Sequence, residues 1–220
     1  MSLSTAPRPT AGRPASNRRD PVQERSQETV SRVLAAAGRL LGRGVAVEAL
    51  TTAQIAGEAG LSVGALYRFF PDKQAIVDAI ALRHMEVFQE GLAGRIMQDF
   101  PGTPADFLAS VVDAFAGYLL ENPDFRTVAY GAPGGSRAIS RPLLEAQAGS
   151  GEIAGMVRDF LSTMFGVAVD GDFLFRLRIA TEIGDRLIAH AMAQPDAPAR
   201  ARVLDEAKRI IGGYLFPAEG

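Results

Sequence analysis

The 220-residue chain has no cysteine. That absence excludes disulfides, thiolate metal sites and thiol nucleophiles, and it fits a reducing compartment. No apolar run approaches the roughly 18 residues that a membrane helix needs. The N-terminus carries Pro, Arg and Ser where a secretory signal would have an apolar core. These absences point to a cytoplasmic chain that makes no membrane contact. Histidine is scarce as well. His84 and His190 are far apart, neither has another His at i+4, and both read as surface or capped side chains rather than metal ligands. Glu182 and Asp185 are three apart on one predicted helix but lack the second-helix partners of a di-metal site. The Gly-rich run from Gly131 to Ser136 lacks the Gly-Lys-Ser/Thr ending of a phosphate loop, and no Gly-x-Ser-x-Gly elbow occurs. Neither a cofactor, nor a metal, nor a catalytic set is expected.

What is present is a composition able to build a core, 47% hydrophobic and 22% charged. The net charge of −2 is unevenly spread. Residues 1–25 hold Arg8, Arg13, Arg18, Arg19 and Arg25 against Asp20 and Glu24, a balance of +3, which leaves −5 for the remainder. A basic arm on an acidic body is one pattern of nucleic-acid binders, and it is equally the pattern of a solvated leader. Residues 1–21, rich in Pro, Ser and Arg without periodicity, read as disordered.

Helical spacing dominates the rest, with neither strand alternation nor an internal repeat. Val30, Val33, Leu34, Ala37, Leu40 and Leu41 make one apolar stripe, closed by Gly42 and Gly44. Thr51 and Gln54 have the spacing of a capping box, ahead of a helix that buries Ile55, Ala56 and Ala59 and stops at Gly60. Ser62 caps a short helix from Val63 to Phe69 or Phe70. Pro71 breaks it, and Asp72 caps a long helix with Ile76, Ile80 and Val87 on its apolar side. Further helices are predicted over 104–121, 123–130, 142–165 (with a break at 149–151), 171–194 and 197–216, with a loop over 131–140. The fold class is all-α, in three parts: an arm over 1–21, a helix-turn-helix domain over 22–80 and a helical domain over 81–220.

The stretch GLSVGALYRFFPDKQAI, from Gly60, sets the functional reading. Two short helices joined by a Gly-containing turn and braced by a third form a helix-turn-helix, whose second helix enters the major groove of DNA by its N-terminal part. Val63, Gly64 and Ala65 keep that end slim. Gly64 costs about 1 kcal/mol relative to Ala, and close approach to a duplex is a reason to carry it. Leu66 and Phe70, four apart, anchor the far end on Ile55 and Ala59. The Tyr67 phenol, the Thr52 hydroxyl and the Lys73 charge are suited to phosphates.

The run TTAQIAGEAGLSVGALYRFFPDKQAI resembles the DNA-binding signature of tetracycline-repressor-like (TetR) regulators, through Thr51-Thr52, Ile55-Ala56, Ala59-Gly60, Ser62, Leu66-Tyr67, Phe70 and Lys73. The resemblance covers about residues 25–80. It implies that Thr52, Ala53, Ser62, Val63, Gly64, Ala65, Tyr67 and Lys73 face double-stranded operator DNA, with Arg68 reaching a phosphate or a base. Val63, Gly64 and Ala65 offer base edges no side-chain hydrogen bonds, so readout falls to thymine methyls, Arg68 and DNA shape. Between residues 26 and 90 there are six basic and seven acidic side chains, so attraction depends on local placement or on the arm.

The resemblance gives the second half two tasks, dimerisation and effector binding. Over 171–194, Leu177, Ala180, Gly184, Leu187 and Ala191 form one apolar face and Phe175, Ile179 and Ile183 another. A helix apolar on two sides is buried twice. With Leu204 and Ile211 of the last helix it could form an isologous homodimer interface, or the two helices are central in one monomeric core. Phe88, Leu92, Phe115, Tyr118, Phe125, Tyr130, Met156 and Phe160 come from helices that enclose the ligand cavity in relatives. They imply a small apolar or aromatic effector, with Arg178 or Glu182 as polar orienters; plain core packing is the alternative for each. The resulting reading is a dimeric repressor released by a small molecule. The alternatives are a ligand-sensing module without DNA binding, which the acidic balance of the motif favours, and a helical enzyme, which lacks a convergent set of groups.

Overall fold

The computed structural model describes residues 21–131, 139 and 152–217, and these form nine α-helices with no strand among them. The proposed arm apart from Pro21, most of the 131–140 loop and the predicted helical stretch over 142–151 lie outside the described residues.

Helix α1 (Pro21–Gly42) turns Val33, Ala36, Ala37 and Leu41 inward, with Val30, Leu34 and Leu40 at the margins of the stripe. Gly44, at φ 91°, lets the chain leave the helix. Helix α2 (Thr52–Ala59) starts on the expected capping box. Thr51 Oγ1 accepts from the Gln54 amide, and Gln54 Oε1 accepts from the Thr51 amide at 2.9 Å. It ends on left-handed Gly60, at φ 65°. Helix α3 (Val63–Tyr67) is capped by Ser62, whose Oγ accepts from the Ala65 amide. At five residues it is shorter than the stretch predicted to Phe69 or Phe70, because the chain tightens into turns ahead of Pro71.

Helix α4 (Lys73–Gln98) is capped by Asp72 and runs 26 residues. Its N-terminal part buries Ile76, Val77, Ile80 and Ala81; further on, Phe88, Leu92 and Ile96 are buried. Val87, expected on the apolar side, is 49% exposed. The buried stripe passes through Phe88 instead, as α4 leaves α1 and packs on α5 and α6.

Helices α5 (Pro104–Glu121) and α6 (Pro123–Tyr130) each begin with proline at the first turn, where no N–H is needed. Helix α7 (Glu152–Phe165) precedes an antiparallel pair, α8 (Gly171–Met192) and α9 (Ala197–Leu215), capped by Asp170 and Asp196. The pair is tightly seated: a Cβ on Gly184 would lie 2.9 Å from Ile211 Cδ1. Among the described residues, no helix is long and apolar enough to cross a membrane.

Candidate nucleic-acid interface and ligand cavity

The two ends of α3 are chemically opposite. Leu66 is fully buried and Phe70 nearly so, whereas Val63 is 39% exposed and Tyr67 49%. Ala53, Ser62, Gly64 and Arg68 are exposed, and Thr52, Ala65 and Lys73 are half-buried. A Cβ at Gly64 would meet nothing within 4 Å, so the protein's own packing makes no demand for glycine there. The Thr52 and Tyr67 hydroxyls are 3.2 Å apart, which joins the start of α2 to the exposed side of α3.

Lys73 is more committed than the sequence implied. Its Nζ donates to the carbonyls of Val47 at 2.8 Å and Glu48 at 3.3 Å, tying the start of α4 to the α1–α2 connector. The arginines of α1 are also engaged. Arg32 donates to the Ala59 carbonyl at 2.7 Å, at the turn itself. Arg39 donates to Glu58 at 2.8 Å, with Arg43 alongside, and the hydrogen bond from Arg39 holds the Glu58 carboxyl below its ordinary range. These cations sit at the negative end of α2 and fix its angle to α1.

A cavity of about 310 Å³ opens in the second half. Phe88, Phe115, Phe125, Tyr130 and Glu182 line it as expected. Leu92, Tyr118, Met156, Phe160 and Arg178 do not. Leu92 is core. Phe160 stacks on Phe107 at 4.2 Å, in a cluster with Phe100 and Phe165. Met156 packs half-buried against the core, while its neighbour Val157 reaches the cavity. Arg178 lies over the exposed ring of Phe175, 5.6 Å from its centroid. The sequence reading missed Met85, Leu108, Val111, Leu177, Ala180, Thr181, Asp185 and Ile188, among others. Leu177, Ala180 and Gly184 had been recognised as one apolar face of α8; that face looks into the cavity and onto α9. Polar atoms gather at one side, where the Tyr130 hydroxyl donates to Asp185 Oδ1 at 3.0 Å, near Thr181 and Glu182.

Tyr118 belongs to a different site. Its hydroxyl is 2.8 Å from His84 Nδ1, and His84 Nε2 is 3.1 Å from Asp124 Oδ2. Burial and the Asp124 charge push the Tyr118 phenol up, with Arg83 opposing. Burial also pushes the Asp124 carboxyl up, but the His84 hydrogen bond and charge, with the amides of Phe125 and Asp124, outweigh it and hold the carboxyl below its ordinary range. His84, read as a surface or capped residue, is instead a half-buried junction. Among the described residues, no group of three His, Asp or Glu side chains is placed to hold a metal ion.

The dimerisation set divides. Phe175 is 52% exposed, Leu174 beside it 43%, and Ile179, Ile183 and Leu187 are half-buried along the same helix. Leu187 was grouped on one apolar face with Leu177, Ala180, Gly184 and Ala191, but Ile188 is the residue buried beside them there. Leu204 packs half-buried on the core. Ile211 is 7% exposed and lines the cavity, so it is an interior residue rather than part of an interface.

The model for bacterial regulatory proteins of the tetR family matches residues 33–80, and that for the tetracyclin repressor-like C-terminal domain matches 103–215. No curated protein matches the chain. Among solved structures, a TetR-family transcriptional regulator from Streptomyces coelicolor is 25% identical, with a TM-score of 0.65 over 85% of this chain and 97% of that one. A TetR transcriptional regulator from Rhodococcus sp. RHA1 shares the fold at 18% identity, with a TM-score of 0.62 over 90% of this chain and 100% of that one. With an exposed recognition tip on a buried anchor, a helical second half and family matches to both, the chain belongs to the tetR family of DNA-binding, non-enzymatic transcriptional regulators, which bind operator DNA as dimers and respond to small molecules.

Proposed function

We propose that this regulator, acting in the cytoplasm, represses transcription as a homodimer and is released by a small, largely apolar or aromatic effector. The observation that carries the DNA reading is the polarity of α3: Val63 and Gly64 are exposed and Ala65 is half-buried, while Leu66 is fully buried. Val63, Gly64 and Ala65 would touch base edges, chiefly thymine methyls, with Arg68 beside them. Thr52, Ala53, Ser62 and Tyr67 would position the backbone phosphates, and Lys73 would add its remaining N–H and its charge at the positive end of α4. The exposed side of α8, with Phe175, Ile179, Ile183 and Leu187, would pair two subunits.

The effector would lie among Phe88, Phe115 and Phe125, with a hydrogen-bonding end toward Tyr130, Glu182 and Asp185. A ligand shifts the equilibrium only if it binds the state off the operator more tightly, and couplings of about 1–3 kcal/mol change operator affinity about 5- to 150-fold. Selection of bound duplexes from a random pool tests the DNA reading. Two half-sites related by a dyad, about 34 Å between centres, are expected. Failure to enrich any sequence, or enrichment of one undivided site, would count against it.

A further inference from the structure

One chain of polar side chains joins three helices where the two halves of the molecule meet. His84 on α4 contacts Tyr118 on α5 through Nδ1 and Asp124 on α6 through Nε2, at 2.8 and 3.1 Å. The face of the same imidazole stacks on Phe125, with centroids 4.9 Å apart and planes 19° from parallel. Phe125 is a wall of the cavity. The same Oδ2 that contacts His84 also faces α1, where a Cβ on Gly38 would come within 2.9 Å of it. One carboxylate oxygen thus contacts α4 and lies beside α1, and the next residue along the chain lines the cavity.

We infer that Asp124, held by His84, which Tyr118 orients, is the positioning residue through which an occupied cavity acts on the DNA-binding helices. The inference rests on the reading that this cavity receives the effector. Phe125 is 1% exposed and stacked, so a ligand that displaces its ring moves either the first turn of α6 or the His84 imidazole. Asp124 is coupled to both movements. Apolar surfaces can slide past one another, but a half-buried carboxylate that loses its partner is left poorly solvated, so this contact resists sliding and conveys displacement. The helices on either side are anchored in the DNA-binding half. α1 is tied to α2 by Arg32 on the Ala59 carbonyl and Arg39 on Glu58, and α4 is tied to the α1–α2 connector by Lys73. A shift at Asp124 therefore reorients the helix-turn-helix as a unit rather than unfolding it.

The test uses the full-length protein and a duplex obtained by the selection above. Ala180→Phe fills the cavity from α8 and stands in for a bound ligand. Gly38→Ala crowds Asp124 from α1 and touches neither the cavity nor the DNA face. Each should weaken operator binding, within the about 5- to 150-fold range of coupled sites. Asp124→Asn and Tyr118→Phe, both close in shape to the native residues, should bind the operator within about threefold of the native protein, and Ala180→Phe should then cost less than about threefold in either background. An Ala180→Phe effect of equal size with and without these changes, or no effect in any background, overturns the inference. If thermal melting shows that Ala180→Phe does not fold, Gly38→Ala decides alone, and native operator affinity in that variant overturns it. A native chain that selects no DNA sinks the proposed function, and this inference with it, at an earlier and separate step.

Discussion

Replacing Lys73 by Met removes one charge and keeps most of the stem, and it separates two jobs that one ammonium is proposed to perform. Internally, Nζ donates to the carbonyls of Val47 and Glu48 at 2.8 and 3.3 Å. Hydrogen bonds from charged donors contribute about 1.5–3 kcal/mol. The longer of these two is weak and water can replace it, so about 1–2 kcal/mol is the expected loss of stability. For a chain of this length that lowers Tm by about 2–8 °C. Externally, each phosphate neutralised adds about 0.9 to the slope of log affinity against log salt, so a dimer that loses two such contacts has a slope shallower by about 1.8. Between about 50 and about 200 mM salt the variant should lose about tenfold less affinity than the native protein. Fluorescence anisotropy of a labelled operator across that range, with melting curves on the same samples, reads both effects. A lower Tm with an unchanged salt slope would show that Lys73 is a strut and nothing more. An unchanged Tm would show that the two carbonyl contacts contribute no stability.

Val63→Gln and Ala65→Arg should redirect the selected sequence, and Val63→Gln, at an exposed position, should alter stability by no more than about 0.5 kcal/mol; unchanged preference in repeat selection would place that end outside the groove. Leu66→Ala, at the fully buried anchor, should cost about 2–5 kcal/mol in urea denaturation, and a loss below about 1 kcal/mol would mean that α3 is not held by this side chain. Leu187→Glu should give monomers in sedimentation, and an intact dimer would move the interface off this side of α8. Asp124→Asn should reveal a pH dependence of stability. The carboxyl is held low in the folded protein, so its contribution is fully present at neutral pH and is lost as pH falls through and below the ordinary carboxylate range. The Tm gap between native and variant proteins should therefore close on acidification, and a constant gap would contradict the assignment.

The DNA-binding half was legible because its signals are local. Thr51 with Gln54, Ser62 with Ala65 and Asp72 with Ala75 are contacts three residues apart, and any chain with these groups ahead of an apolar period has them within reach. Gly60 marks its turn for an equally local reason, a left-handed backbone. The cavity was half legible. Phe88, Phe115, Phe125 and Tyr130 were named because the resemblance places their helices around the ligand cavity, and they line the cavity seen here. Phe160, named on the same resemblance, does not line the cavity, because a helix's membership in the cavity wall does not specify which of its side chains face it: Phe160 faces Phe100 and Phe107 instead. On α8 the two apolar faces were seen, but Leu187 was placed with Leu177, Ala180 and Gly184, whereas Ile188, unassigned from the sequence, is the residue buried beside them.

The sequence by itself determined an all-helical chain, the positions of its caps and turns, and a slim-tipped recognition helix, since all of these follow from groups within one helical turn of each other. Only the tertiary structure decided which charges are available and which side chains meet. Lys73 reaches back 26 residues to Val47, His84 reaches forward 40 to Asp124, and Tyr130 reaches 55 to Asp185. Such contacts depend on how each helix is rotated and crossed against its neighbours. A shift of one residue turns a helix by about 100°, and the apolar period along a single helix does not specify that angle.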